Sequence, residues 1–140
     1  MNPQRPFQRT LDALAVAPVV QLWDSWHFSD HFGKVSQIGQ NVGTDGYRYR
    51  KNKGHPGGAW AARRTVFPLD PTHVIGGGDT LAIESWLGMT DTFLQRQMSP
   101  AWAASHGTWA ADAWRKVGGR IATLPGDCVH LYHGSRSNRL

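Results

Sequence analysis

The residues best suited to chemistry lie in the stretch GGGDTLAIESW, residues 76–86, where three glycines lead to Asp79 and then to a helical apolar pattern. A Walker-type phosphate loop needs a lysine and a Ser or Thr after its glycines, because backbone N–H groups alone neutralise a triphosphate poorly. No lysine follows here. The dinucleotide fingerprint G-x-G-x-x-G would need a third spaced glycine, and an aspartate at that helix start repels a phosphate. The stretch therefore reads as one that presents a carboxylate. An aspartate at a helix N-terminus is favoured by the macrodipole and the free N–H groups, so Asp79 is expected to cap the helix. The small residues before it, Gly77 and Gly78, leave room for a substrate, which makes Asp79 a candidate general base as well.

A second chemical stretch is HPGGAWAARR, residues 55–64, in which His55 precedes a proline-glycine corner. Backbone exposed at Gly57 and Gly58 beside the Trp60 indole suits a sugar, whose faces stack on aromatics while its hydroxyls bond to backbone groups. The same glycines also let two segments of chain pass closely. His130 and His133 in VHLYHG lie three apart, so on a strand they point to opposite faces and cannot bind one metal together. His133, at the exit of the strand, is the candidate ligand of the two; an imidazole alone makes no tight metal site without carboxylate partners. RYRKNK, residues 48–53, interleaves tyrosine with cations, either as a solvated loop or as a patch that grips phosphates and stacks bases.

The elements that must position these residues follow from periodicity and turn chemistry. Residues 7–17 carry a helical apolar spacing that Pro18 stops, and VVQLW, residues 19–23, is a compact buried strand. Residues 24–54 lose clear periodicity and read as a long loop, of the length usually reserved for binding or for lids. Residues 59–67 read as a strand entered through the glycine corner. A short helix starts near Asp79 and ends at Gly88. Ser99 and Pro100 open a longer helix in which Trp102, His106, Trp109, Ala113 and Val117 recur at helical spacing until Gly118. IATL and CVHLY then form two short strands across the Pro125 and Gly126 turn, followed by a basic tail at residues 134–140.

The chain has 140 residues, which suits one domain with a real core, and sixteen glycines and eight prolines, which make it loop-rich. A net charge of +5 favours anionic partners such as nucleic acid, phosphorylated substrates or nucleotide-sugars. The single cysteine, Cys128, excludes an internal disulfide and reads as a buried structural thiol. No apolar run approaches the ~20 residues that span a bilayer, and the first ten residues lack the apolar core of a signal peptide, so a soluble, cytoplasmic protein is the default expectation.

In order and spacing, VVQLW, HPGGAWAARRTVF, GGGDTLAIESWLG and LPGDCVHLYHGSRSNR resemble the C-terminal, acceptor-side half of GT-A type glycosyltransferases, of the family 2-like and galactosyltransferase-like kind. The resemblance implies an α/β fold, a partial GT-A-like domain over residues 1–140 with a small mixed sheet flanked by two or three helices. It implies transfer of a sugar from a nucleotide-sugar donor to an acceptor hydroxyl of a glycan or another molecule, with Asp79 as the base. Gly57, Gly58 and Trp60 would border the sugar, with Gly77 and Gly78 beside them and Arg136 near the donor diphosphate. His133 would bind a divalent cation, Mn or Mg. Beta-1,4-galactosyltransferases carry a Glu-Asp pair where this sequence has Gly78 and Asp79, so the glutamate's acceptor contact has no counterpart. The family's Asp-x-Asp motif is absent as well. The expectation is a GT-A domain that lacks its donor half, with a partner chain as one source of it. The readings from other classes are a small basic module that binds nucleic acid or phosphorylated glycan, and a non-catalytic remnant.

Overall fold

The computed structural model describes residues 6–45, 54–66, 69–73 and 77–131. In chain order these form α1 (Pro6–Val16), β1 (Val19–Gln21), β2 (Ser25–Ser29), β3 (Val35–Gln40), the short α2 (Val42–Asp45), β4 (Trp60–Ala62), α3 (Gly78–Trp86), α4 (Pro100–Val117), β5 (Ile121–Thr123) and β6 (Asp127–His130). Single 3-10 turns at Arg64–Val66 and Gln95–Gln97 complete the set. The class is mixed α/β, as expected, but two small sheets stand in place of one.

The sheets have the orders β4-β1-β5 and β3-β2-β6. In each, the central strand pairs antiparallel with one neighbour and parallel with the other. They are two arms of one bent ribbon. β1 runs into β2 and β5 into β6 in unbroken register, with Gln21 opposite Thr123 and Ser25 opposite Asp127. At the bend the Asp24 and Ser25 N–H groups both donate to the Gly126 carbonyl, and Gly126 N–H donates to Asp24 Oδ1 at 3.1 Å. Pro125 and Gly126 thus mark a corner within a strand pair, which hydrophobic patterning alone reads as a turn between strands.

The long loop expected at residues 24–54 is largely structured, because residues 25–40 form the β2–β3 hairpin. Its turn is built by Asp30, whose Oδ1 accepts from Phe32 N–H and Lys34 N–H at 2.9 Å each, and by Gly33 at φ 78. A register shift between Trp26 and His27 breaks the alternation that would have marked the strand. The strand expected at residues 59–67 shortens to Trp60–Ala62. The next residue, Arg63, donates from its guanidinium to the Leu14 and Ala15 carbonyls at 2.7 Å and from its backbone to Pro18, which ties the chain to the end of α1 and ends the ladder.

α4 matches its expected bounds. Ser99 Oγ accepts from Trp102 N–H, Pro100 occupies the first turn, and Gly118 closes the helix in the left-handed conformation at φ 57. α3 is the central helix: Thr80 through Trp86 are all buried, so its sequence shows no polar face. The core gathers Val19 from β1, Val42 from α2, Val66 from the 3-10 turn after β4, Ala82, Ile83 and Trp86 from α3, and Ala113 and Val117 from α4. Gly119 N–H also donates to the Trp86 carbonyl at 2.9 Å, so the end of α4 is fastened to the end of α3. This packing fixes α3 against the ribbon and sets its N-terminus beside the corner at residues 55–60.

Candidate functional site

Asp79 stands in the first turn of α3, and it is not the cap. That position belongs to Gly77, at φ 94 and ψ 4, with no side-chain cap bond. A left-handed residue is needed there, and glycine adopts it without the Cβ penalty. Asp79 is thereby moved inside the helix, where the N-terminal dipole still favours its charge. Its Oδ1 accepts from the Thr80 N–H at 2.8 Å, and the residue is exposed. The second oxygen faces the glycine corner: a methyl group built on Gly57 would lie 3.3 Å from Asp79 Oδ2 and 2.9 Å from His55 Cε1. Two segments more than twenty residues apart therefore meet at one point, and only a glycine fits at 57 without displacing one of them.

The corner is held from below by Gln21, whose side chain is fully buried on β1. Its Nε2 donates to the His55 carbonyl at 2.9 Å, and its Oε1 accepts from Val42 N–H at 2.8 Å. His55 Nδ1 in turn accepts from the Gly57 N–H at 3.1 Å, which assigns the ring proton to Nε2 in the neutral imidazole. The ring stacks on Trp26 with centroids 4.3 Å apart and planes at 13°. Burial lowers the His55 pKa below its ordinary 6.5; the nearby Asp79 charge opposes this and His130 adds to it. His55 is thus a neutral imidazole beside a carboxylate.

Trp60, Gly78, Asp79 and Trp86 line a common pocket of about 150 Å³. The Trp60 indole N–H is spent on the Pro56 carbonyl at 2.9 Å, which leaves its ring face as the contact surface. Trp86 meets it edge-on at 5.4 Å, and the buried Trp86 Nε1 has no hydrogen-bond partner among the described residues. The pocket therefore offers an aromatic wall and an exposed carboxylate.

Of the residues singled out in the sequence, Gly57, Trp60, Gly78 and Asp79 come together here. Gly78 also packs under His73, whose Cδ2 would lie 2.9 Å from an added methyl. Gly77 shapes the helix start. Gly58, at φ 96, faces away into the core, against the Trp23 indole nitrogen and with Trp26 Cζ3 2.6 Å from where a methyl would stand. His133, Arg136 and the basic stretch at residues 48–53 lie outside the described residues. His130 is described, and its ring packs on Phe28 at 4.8 Å and near Trp26 at 5.9 Å. Among the described residues no group of three or more His, Cys, Asp or Glu is placed to hold a metal ion. Cys128 is half-buried, and burial pushes its thiol above its ordinary value, so it is no reactive thiolate.

Sequence reasoning passed over two features. One is His55, whose signal is its place two residues before the glycine that touches Asp79. The other is a buried pair between the segment at residues 69–73 and α4: His106 Nδ1 and Asp70 Oδ2 lie 2.7 Å apart, with side chains 3% and 6% exposed. Burial raises the Asp70 carboxyl, but hydrogen bonds from Thr72 and His106 outweigh it and leave the pKa lowered, so Asp70 is ionised. Thirty-six residues separate the two, and His106 falls on the apolar stripe of α4, so no local pattern announces the pair. Glu84 of α3, fully buried with Thr92 Oγ1 donating to it at 2.7 Å, is raised by burial toward its neutral form.

Among the described residues no helix is long and apolar enough to cross a membrane. In comparison with known proteins, no family model matches the chain, and neither a curated protein nor a solved structure matches it.

Proposed function

We propose that the chain is the acceptor-side part of a glycosyltransferase, in which the pocket between the glycine corner and the start of α3 holds a sugar or another hydroxyl-bearing acceptor and Asp79 takes the proton from the attacking hydroxyl. One observation supports this above the others: Asp79 sits exposed at the mouth of a pocket walled by Trp60 and Trp86, with Gly57 leaving its second oxygen uncovered. An aromatic face takes the apolar face of a pyranose, and the carboxylate accepts from the hydroxyl that reacts. A base within hydrogen-bond reach is what deprotonation during attack requires. His55, neutral and adjacent, is a positioning residue that holds the corner in place by accepting from the Gly57 N–H.

By the family resemblance, the donor nucleotide-sugar and its Mn or Mg ion would be held with help from His133 and Arg136 and from a donor-binding half, a partner chain being one source. The described residues do not by themselves gather ligands that fit a cation, and no step is routed through one. Given a nucleotide-sugar donor and a hydroxyl acceptor, Asp79→Asn is expected to lower the transfer rate by about 100-fold or more while leaving donor affinity unchanged. Transfer retained in that variant removes Asp79 as the base. Salt-dependent oligonucleotide binding unaffected by Asp79→Asn, with no response to glycosides, would instead favour a basic binding module.

A further inference from the structure

The pocket beside Asp79 is poor in polar side chains. Beyond the Trp60 and Trp86 rings its wall is glycine, alanine and the exposed Leu69. The Trp60 indole N–H is taken by the Pro56 carbonyl, and the Trp86 indole nitrogen is buried. Among the described residues that line the pocket, Asp79 therefore carries the only polar side-chain group that a ligand can meet.

That inventory bears on what carries the reacting hydroxyl. With one hydroxyl of the acceptor on Asp79, the rest of the buried molecule faces indole carbon, alanine methyls and leucine. Each further hydroxyl placed there gives up water and finds no side chain in return, which costs free energy. A carbon skeleton in the same place gains by its burial, and a cyclic one matches the Trp60 face. The volume, about 150 Å³, sets the size. A cavity of that order accepts one benzene-sized ring.

We infer that the acceptor is an apolar alcohol, a single hydroxyl on a small alicyclic or aromatic skeleton, with the hydroxyl donating to Asp79 and the skeleton against Trp60, Trp86 and Leu69. The inference rests on Asp79 as the partner of the reacting hydroxyl, and it narrows the acceptor from hydroxyl compounds in general to those with a carbon body. Leu69 then acts as a specificity residue, because its exposed side chain adds apolar contact that a polyol cannot use.

The probes are cyclohexanol, scyllo-inositol and cyclohexanone, titrated separately into the ¹⁵N-labelled full chain with the Trp60 and Trp86 indole N–H signals as the readout. All three share a six-membered carbon ring; they differ in bearing one hydroxyl, a hydroxyl on every carbon, or an acceptor with no donor. Cyclohexanol should bind about tenfold more tightly than either of the others, the scale of one hydrogen bond to a charged group or of hydroxyls left unpaired. In Asp79→Ala, cyclohexanol should fall to the affinity of cyclohexanone, with both still ahead of scyllo-inositol. Leu69→Asn should narrow the preference for cyclohexanol over scyllo-inositol. If scyllo-inositol binds as tightly as cyclohexanol while cyclohexanone stays weak, the apolar class is overturned and Asp79 stands as a hydroxyl partner. If cyclohexanone matches cyclohexanol in the wild type, the role of Asp79 falls and the proposal falls with it. Indoles that none of the three probes moves would overturn the proposal as well.

Discussion

Gly57 and Gly58 are adjacent glycines with unrelated duties. Gly57 has ordinary backbone angles and is small because Asp79 and His55 stand against it; Gly58 is left-handed and has the Trp23 and Trp26 rings packed on its Cα. Gly58→Ala is therefore expected to destabilise the fold by about 1–3 kcal/mol through overpacking, with further strain from φ 96, read as a lowered melting temperature. An unchanged melting temperature would show that the tryptophans are not packed there. His55 makes a prediction of its own. Its folded pKa lies below 6.5, so between the two values the unfolded chain holds a proton that the folded chain does not. Stability from this group is complete above pH 6.5 and is lost as pH falls through that window. His55→Gln should flatten the slope of melting temperature against pH there. In Asp79→Asn the His55 titration, followed by NMR, should move still lower, since the opposing charge is gone. A His55 titration that Asp79→Asn leaves in place would separate the two residues.

At the scale of elements, the corner at residues 55–60 depends on β1 through one side chain. Gln21 satisfies the His55 carbonyl and the Val42 N–H from a fully buried position, so Gln21→Leu strands both. Each buried group left unpaired costs about 1–3 kcal/mol, and the loss should fall on the corner and α2, with amide exchange accelerating there before it does in α4. Uniform exchange across the chain would contradict this role. Helices were the legible elements in the sequence: the Ser99, Pro100 and Gly118 signals around α4 are local chemistry and do not need the rest of the fold. The hairpin at residues 25–40 was not legible, because the bulge after Trp26 cancels the period of two. α3 was legible as a helix but not as the central one, since the burial of its polar Thr80 and Glu84 comes from tertiary packing.

For the whole molecule, the ribbon and α4 clamp α3 from two sides, and that helix borders two pockets of different character. One joins Trp60, Gly78, Asp79 and Trp86; the other joins Met89, Met98 and Trp114 with His106. Half of the first was readable as Asp79 and the PGGAW segment, because small residues beside a carboxylate and an indole are unusual in a run so short. Trp86 and His55 became part of it only through the fold. The Asp70–His106 pair was unreadable, since its carboxylate and imidazole are thirty-six residues apart. The pair's contribution to stability runs with the lowered Asp70 pKa: present above the ordinary carboxyl value of 3.8, and lost as pH falls through the lower folded value.

The most direct measurement of the central claim is a glycoside titration of the ¹⁵N-labelled chain, reading the indole N–H signals of Trp60 and Trp86 in the wild type and in Asp79→Ala. Methyl glycosides should shift both indoles saturably, with millimolar affinity, and Asp79→Ala should weaken binding by about tenfold or more, as expected for a lost hydrogen bond to a charged group. Indoles that no glycoside moves, or an affinity that Asp79→Ala leaves unchanged, would contradict an acceptor site at Asp79.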